Sequence, residues 1–341
     1  MTKDIDPRVA IVGSGLAGTF AALALAERGV RAVMFDVGYR CESPLGAING
    51  DTPGQPDETT ANRILESLPD VTGRTQKMRF ASDHSYRLAE PWAVEDHLGS
   101  RIPVSYGYSG FSDVWGTSIQ PWGDAELGMW PVSVPEMRSA YEAIRPLIPS
   151  AGSWDEMAKR YESGPPCVEL PVAAALDRLN RSPNTETILF GKSRLALDGA
   201  PDSPTHCRKC NRCFVGCIWD SLFSARQLHP ILKLHGVEIR ESCRVMATTP
   251  TQFSGVDVAV VDEKSRKRFT EHFDKVLLGA GPLATGAIVL RSINKSGTQM
   301  RIADTHSFTV PLVGPQTRPQ DSNTVALAQG FIQVVAPHNN M

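Results

Sequence analysis

The chain has no excess of positive charge, because its 35 lysine and arginine residues stand against 37 aspartate and glutamate residues, for a formal net charge of -2. Aromatic residues make up 7% of the sequence and are not interleaved with basic ones. A nucleic-acid-binding protein normally shows a basic patch, so this composition argues against that class. A long apolar run is also missing. The stretch 9–25 is interrupted by Gly13, Gly15 and Gly18, and we expect no membrane span.

The first residues, MTKDIDPRVAIVGSG, do not resemble a signal peptide, because they are polar and acidic before they turn apolar. We therefore expect a cytoplasmic protein. The composition, 41% hydrophobic and 21% charged, is that of an ordinary globular chain. Disulfides rarely persist in a reducing compartment. The seven cysteines are then better explained by metal or redox chemistry than by a disulfide framework.

A nucleotide-binding fingerprint opens the chain. An apolar strand over 8–13 runs into G-x-G-x-x-G and a helix that ends near Gly29, and a second strand ends in Asp36. The glycines allow a tight turn and close approach of a pyrophosphate to the helix N-terminus, while the acidic residue can bind ribose hydroxyls. The pattern predicts dinucleotide binding, with FAD favoured over NAD. The candidate cofactor-binding residues here are Gly13, Ser14, Gly15, Leu16, Ala17, Gly18 and Asp36.

A second glycine turn lies late in the chain, in DKVLLGAGPLATGAIVLRS. The pattern predicts a strand that ends at 279–281 and a helix that starts near Thr285. We expect this turn to contact the cofactor through Ala280, Gly281 and Thr285. The alternative is a structural α/β turn without a ligand.

The remaining segments give coarser expectations. We predict an irregular binding loop over 106–122, a long loop over 39–70 and a helix over 219–235. Ser133 and Glu136 have the spacing of a capping box and predict a helix start. Alternating apolar residues after 237 predict strands.

Four segments together resemble the glucose–methanol–choline oxidoreductase family. They are VGSGLAG with FDVG, SGFSDVWGTSIQPW, MWPVSVPEMRSAYEAI and VLLGAGPLATGAIVLRS. The resemblance implies an α/β protein with a Rossmann-like FAD-binding domain, insertions and the start of a second, substrate-type domain. It implies a dehydrogenase that acts on a CH–OH group of a small-molecule alcohol, sugar or polyol. It adds Gly110, Ser112, Trp115, Gly116 and Val245 to the expected cofactor contacts.

The chain departs from this family at its end. Members are considerably longer and carry a catalytic histidine near the C-terminus, a motif that His338 does not match, so we assign no catalytic base. We expect slow turnover by this chain alone, and either an electron-acceptor protein or a complementing C-terminal chain as a partner. The expected domains are FAD-binding (1–50 and 236–300), an insertion with the flavin-contacting loop (51–150), an insertion with a cysteine loop (151–235) and a truncated substrate domain (301–341).

The cysteine loop is HCRKCNRCFVGC, with the spacing C-x-x-C-x-x-C-x-x-x-C. This is the compact spacing of bacterial ferredoxin clusters, and it predicts a [4Fe–4S] or [3Fe–4S] cluster as the electron outlet of the flavin. Zinc, plain thiols and disulfides are the alternatives, and a remote cysteine such as Cys243 could supply the fourth ligand. In the competing hypothesis the chain is a partial or non-catalytic flavoprotein subunit whose loop is a zinc clip. The candidate metal ligands are Cys207, Cys210, Cys213 and Cys217.

Overall fold

The computed structural model describes residues 8–42, 57–67, 76–90, 103–152, 178–179, 188–210, 212–302, 327–328 and 330–334. The chain forms two compact units: Met1–Gly38, Trp92–Val104 and Leu232–Asn323 make the first, and Tyr39–Pro91, Ser105–Ile231 and Thr324–Met341 make the second. In chain order the helices and strands are β1 (Arg8–Val12), α1 (Leu16–Ala26), β2 (Arg31–Phe35), α2 (Glu58–Ser67), α3 (Asp124–Leu127), α4 (Val134–Ile144), β3 (Ile188–Lys192), α5 (His229–Leu234), β4 (Glu238–Arg240), β5 (Cys243–Pro250), β6 (Val256–Asp262), β7 (Arg268–Phe273), β8 (Lys275–Leu278), α6 (Pro282–Ser292) and β9 (Gly330–Val334).

A four-stranded parallel sheet in the order β4-β2-β1-β8 forms the centre of the first unit. Successive side chains of a strand point to opposite faces, and both faces of this sheet are buried. Ile11 and Met34 are fully buried on one face, while Val12 and Phe35 belong to the hydrophobic core on the other. Burial on both faces is typical of parallel sheets in α/β proteins.

The strands β5, β6 and β7 form an antiparallel sheet that contributes to the same core. Phe273 on β7 meets Phe35 on β2 edge to face, with ring centroids 5.7 Å apart. The helix α6 packs near β5, where the N–H of Thr248 donates to the Ser292 hydroxyl over 2.8 Å. The first unit is therefore a mixed α/β fold with a Rossmann-like parallel sheet, as the sequence predicted.

The second unit is more irregular. Its regular elements are α2, α3, α4 and the antiparallel pair β3 and β9. Single-turn helices at Arg79–Ala81, Gly110–Asp113, Cys213–Val215 and Ala225–Leu228 carry the segments that matter for the site. Its described apolar clusters are small, with Leu195 and Leu197 in one and Phe80 in another.

Several local predictions are confirmed. The β1–α1–β2 unit is present, and α4 begins at the predicted capping box, in which the Glu136 N–H donates to the Ser133 hydroxyl. The loop over 106–122 is irregular. No helix in the described part of the chain has the length and apolar character needed to cross a membrane.

Three local predictions are wrong. The helix over 219–235 is only a single turn at Ala225–Leu228 followed by α5, because the preceding residues pair with another segment: the Phe223 N–H donates to the Ala196 carbonyl. The stretch 39–70 contains α2, whose start is capped by the Asp57 side chain, which accepts from the Thr60 N–H over 2.9 Å. Finally, the helix that was expected to start near Thr285 starts three residues earlier. It is α6, which begins at Pro282 directly after Gly281 at φ +80°.

Candidate functional site

The N-terminal glycine turn is constrained by backbone contacts. Gly13 has φ +97°, and its N–H donates to the Phe35 carbonyl at the end of β2 over 2.9 Å. A Cβ at Gly13 would lie 2.6 Å from the carbonyl oxygen of Gly279, and a Cβ at Gly18 would lie 1.9 Å from the carbonyl oxygen of Gly13. Both positions therefore require glycine.

The two glycine turns, although far apart in the sequence, meet at the carboxyl ends of β1 and β8. The Gly279 N–H donates to the Val12 carbonyl over 2.8 Å. A Cβ at Gly279 would lie 3.0 Å from the backbone nitrogen of Gly18, and one at Gly13 would lie 3.0 Å from the Cα of Ala280. The structure thus brings together two of the segments predicted to contact one cofactor.

The start of α1 offers unsatisfied donors beside this turn. Gly15 precedes the helix without a side-chain capping hydrogen bond, and the first turn carries no acidic residue. The first N–H groups of a helix have no intrahelical partner, and the helix dipole favours an anion there. Leu16 and Ala17 lie in this first turn. The arrangement is suited to a phosphate group.

Asp36 follows β2 and is buried, with 8% of its surface exposed. Its Oδ2 accepts the backbone N–H of Ser14 over 2.6 Å, whereas Oδ1 has no hydrogen-bond partner among the described residues. Burial raises the pKa of the carboxyl to about 6, although the Ser14 N–H acts in the opposite direction. A buried acceptor without a donor costs free energy, so this oxygen is suited to a hydroxyl donor from a ligand.

The remaining predicted cofactor residues of the first unit lie at the start of α6 and on β5. Gly281 precedes α6, and the Thr285 N–H donates to its carbonyl over 2.9 Å in the first turn of that helix. Val245 lies on β5 next to a bulge, and its side chain is 4% exposed in the hydrophobic core. A contact between Val245 and a cofactor would have to use its backbone.

In the second unit, the predicted Gly/Ser/Trp segment is held by its own hydrogen bonds. The Ser112 hydroxyl donates to the Ser109 carbonyl over 2.6 Å and accepts the Ala225 N–H over 3.0 Å. The Trp115 indole N–H donates to the Phe223 carbonyl over 2.8 Å. These polar groups fix the loop. Gly110 has φ +60°, and Gly116 is exposed, with open space where a Cβ would lie.

A buried ionic network, which the sequence analysis missed, surrounds Asp113 in this segment. The Asp113 side chain is 5% exposed and pairs with Arg79 Nη1 at 3.0 Å and Arg226 Nε at 3.2 Å. It also accepts the Ser224 hydroxyl over 2.7 Å. Burial alone would raise the pKa of Asp113, but Arg79, His84 and Arg226 together hold it well below its usual value. Asp113 therefore remains ionised at neutral pH.

No sequence signal pointed to this network, because its members come from separate stretches of the chain. Arg226 also pairs with Asp220, with 2.9 Å between Nη1 and Oδ2. The second terminal nitrogen of Arg79, Nη2, is buried without a hydrogen-bond partner in the described residues. Segment 106–122 was singled out for its glycines and tryptophan, and Asp113 within it was not.

The four cysteines of the loop line one small pocket, which is partly open to solvent. Backbone N–H groups point at two of the sulfurs: that of Lys209 donates to Cys207 Sγ over 3.4 Å and that of Ser221 to Cys217 Sγ over 3.3 Å. Burial raises the pKa of Cys207 to about 11 and also raises that of Cys210. Without a metal these two groups are thiols at neutral pH. Arg208, Lys209 and Arg212 line the same pocket.

Although the sulfurs share a pocket, no three His, Cys, Asp or Glu side chains in the described part of the chain are arranged to hold a metal ion. The predicted metal site is therefore not present as an assembled set of ligands. Cys243, the suggested remote ligand, is buried in the core of the first unit. His206 directs Nδ1 to the Ser203 carbonyl, 2.9 Å away. Cys167 and His338 lie outside the described residues.

No protein-family model matches this chain, and neither does any curated protein. Similar solved structures include the flavin-dependent monooxygenase PieE in complex with FAD and substrate, at 14% identity and a TM-score of 0.29 over 85% of this chain and 32% of that one. OxyS anhydrotetracycline hydroxylase from Streptomyces rimosus follows, at 12% identity and a TM-score of 0.30 over 84% of this chain and 34% of that one. NikD, an unusual amino acid oxidase, matches at 12% identity and a TM-score of 0.28 over 83% of this chain and 53% of that one.

The chain spans between 32% and 53% of the length of these neighbours. With TM-scores of 0.28 to 0.30, the likeness carries no argument about function. Function is therefore inferred from the geometry of this chain and from the resemblance of its motifs.

Proposed function

We propose that this chain is an FAD-dependent oxidoreductase that oxidises a CH–OH group of an alcohol, sugar or polyol and passes the electrons on through its cysteine loop. The observation that carries the FAD assignment is the buried Oδ1 of Asp36, which lacks a donor and lies beside the bare N-terminus of α1. A ribose hydroxyl supplies such a donor, and a pyrophosphate satisfies the helix N–H groups.

Each chain residue then has a defined part in binding. The N–H groups at the start of α1 bind the pyrophosphate, and the glycines at 13 and 18 keep the turn close to β8. Asp36 accepts from the ribose, which favours its ionised form and opposes the effect of burial on its pKa. When bound, the flavin supplies the hydride acceptor for the oxidation.

The cysteine loop is proposed to hold an iron–sulfur cluster. The residue types suit this role, because four thiols line one pocket and N–H groups already donate to two of the sulfurs, although no three of the described side chains are arranged around a common metal position. Hydrogen bonds to sulfur and local charge set the reduction potential of such clusters. Ligation requires the thiols to lose their protons and to turn toward a common centre. A cluster takes one electron at a time, which suits a dehydrogenase that feeds a carrier protein.

The FAD assignment is tested by releasing the nucleotide from purified, folded protein and identifying it by chromatography. We expect FAD from the wild type and binding at least about tenfold weaker in Asp36→Ala, since hydrogen bonds to charged groups contribute about 1.5–3 kcal/mol. Asp124→Ala, at a carboxylate that is 60% exposed, is the control and should bind normally. Recovery of NAD(P), or of no nucleotide at all, would contradict the assignment.

The substrate class is tested anaerobically with FAD-loaded protein, by following the loss of flavin absorbance. Sugars or polyols should reduce the flavin, with the rate depending on which hydroxyl is presented. Reduction by amino acids but by no alcohol would overturn the CH–OH assignment and leave the FAD assignment intact.

The cluster is tested by metal and sulfide analysis of anaerobically purified protein. We expect iron with acid-labile sulfide and a brown colour that Cys210→Ser removes while the flavin bands remain. One zinc per chain without iron or sulfide would instead show that the loop is a structural clip. It would leave the FAD assignment standing, and a partial flavoprotein that needs a second chain would become the better description.

A further inference from the structure

A second carboxylate, that of Glu241, is held next to the acidic residue of the nucleotide fingerprint. Glu241 stands in the corner between β4 and β5, and the backbone of this corner is bonded to the end of β2. The Asp36 N–H donates to the Arg240 carbonyl over 3.0 Å, and the Cys243 N–H donates to the Asp36 carbonyl over 2.9 Å. The corner is thus tied to Asp36 on both sides of Glu241.

The side chain of Glu241 lies against Gly38, two residues after Asp36. A Cβ at Gly38 would be 3.2 Å from the Cβ of Glu241 and 3.5 Å from its Oε2. Glu241 is half-buried, and its charge acts with burial to raise the pKa of Asp36. The absence of a side chain at residue 38 therefore leaves room for a second carboxylate at the carboxyl end of β2.

The cation next to Glu241 in the chain does not offset the two carboxylates, because it is already paired elsewhere. Nε of Arg240 lies 2.7 Å from Oε1 of Glu238, and its Nη1 pairs with Glu271. Nucleotide sites that accept a phosphorylated ribose use an arginine near the position of Asp36. Here that end of the site is acidic, which suits ribose hydroxyls and opposes a phosphate.

We propose that Glu241 is a specificity-determining residue of the nucleotide site, which together with Asp36 excludes an adenosine ribose that carries a phosphate. A free hydroxyl donates to Oδ1 of Asp36, whereas a phosphate brings between one and two negative charges to the same place. Juxtaposed like charges discriminate against the wrong ligand. The ligand class is therefore adenine dinucleotides with free ribose hydroxyls, such as FAD. The inference rests on the proposed FAD site and assigns to it a residue outside the sequence fingerprint.

The test compares ADP-ribose with 2′-phospho-ADP-ribose, two probes that differ only in the ribose phosphate. Binding to the flavin-free full chain is measured by calorimetry at pH 8, above the pKa of Asp36. We expect the wild type to prefer ADP-ribose by about a hundredfold. Glu241→Gln should reduce this preference about tenfold, because it removes one repelling charge without changing the size of the side chain. Glu241→Lys should reduce it further.

Glu27→Gln is the matched control. It makes the same change of charge at an exposed residue of the first unit, at the C-terminal end of α1. The preference for ADP-ribose should stay that of the wild type. An equal loss of preference in Glu27→Gln would show that net charge, and not the place of Glu241, is responsible, and would overturn the inference.

The outcomes separate this inference from the function on which it rests. If the wild type binds ADP-ribose but neither Glu241 variant changes the preference, the role of Glu241 is refuted and the nucleotide site stands. A wild type that binds both probes equally has the same meaning. Thermal unfolding of each variant is measured alongside, and failure of both to fold would make Glu241 a structural residue and refute the inference. A folded wild type that binds neither probe overturns the FAD site and the inference together.

Discussion

The carbonyl oxygen of Gly279 lies 2.6 Å from the point at which a side chain on Gly13 would begin. The two residues belong to the turns that follow β8 and β1, so neighbouring parallel strands deliver both turns to one edge of the sheet. Ligands of open α/β sheets bind outside the carboxyl ends of the strands. The close approach therefore both excludes a side chain at residue 13 and defines where a pyrophosphate can lie.

Gly13→Ala should destabilise the protein and reduce its FAD content together. Alanine at φ +97° is strained, and its methyl group would force the turn away from Gly279. The measurement is the free energy of unfolding from urea titration, combined with the amount of flavin retained after gel filtration.

Gly29→Ala is the matched control for this prediction. Gly29 also has a positive φ, +71°, but nothing lies within 4 Å of its Cβ position. It should show only the backbone cost, about 1–2 kcal/mol, with normal flavin content. Equal effects of the two substitutions would mean that the contact with Gly279 has no consequence.

Asp36→Asn should abolish a pH dependence of stability in the flavin-free protein. The pKa of Asp36 is raised from 3.8 to about 6 in the folded state. Its stabilising contribution is therefore fully present below pH 4 and lost as the pH rises through 6. From that difference, the wild type should lose about 2 kcal/mol relative to Asp36→Asn between pH 4 and pH 7. Thermal or urea unfolding at a series of pH values gives this difference directly.

The same pH series should then be measured with the protein saturated with FAD. A ribose hydroxyl that donates to Oδ1 stabilises the ionised carboxylate, so the pH dependence should shrink when the flavin is bound. A difference between wild type and variant that stays constant from pH 4 to pH 7 would show that Asp36 ionises normally in the folded protein.

Asp113→Asn should be severely destabilising at pH 7, by about 3–5 kcal/mol, because it leaves the buried Arg79 without a carboxylate and Arg226 with Asp220 alone. Asp124→Asn is the control, since its partner Arg138 is 41% exposed, and it should cost about 0–1 kcal/mol.

The pKa of Asp113 is held well below 3.8. Its contribution is thus present above pH 4 and is lost as the pH falls through the folded-state pKa, so the two stability curves should approach each other only in strong acid. Similar losses of unfolding free energy for both substitutions would show that Asp113 does not stabilise the buried arginines more than an exposed ion pair would.

The parts of the site that could be read from the sequence are those that depend on local patterns. The turn at Gly13, the helix after it and the capping box at Ser133 are each encoded within a few residues, and the structure contains all three. The meeting of the two glycine turns was not predicted as such, because the sequence indicated only that both turns contact one cofactor, whereas the pairing of β1 with β8 is a contact between distant segments.

The parts that could not be read depend on contacts between distant segments. Nothing near Asp113 indicates that Arg79 and Arg226 pair with it, since each arginine alone is an ordinary polar residue. The prediction of a helix over 219–235 was wrong because it, too, depended on a contact between distant segments. Its first residues bond to the segment around Ala196, and this tertiary pairing outweighs local helix propensity.

Gly216→Ala should loosen the cysteine loop. Gly216 has φ +104°, and a Cβ there would lie 3.0 Å from Cε1 of Phe80, a ring that is 3% exposed and has little room to move. Overpacking typically costs about 1–3 kcal/mol, in addition to the strain of alanine at this φ.

Because Cys213 is only 9% exposed, a displaced loop should let it react faster with an alkylating reagent, as measured by mass spectrometry of timed samples. Gly236→Ala, at φ +80° with nothing within 4 Å of its Cβ position, should carry the backbone cost without changing the rate at Cys213. Equal alkylation rates in both variants would show that Phe80 does not hold the loop in place.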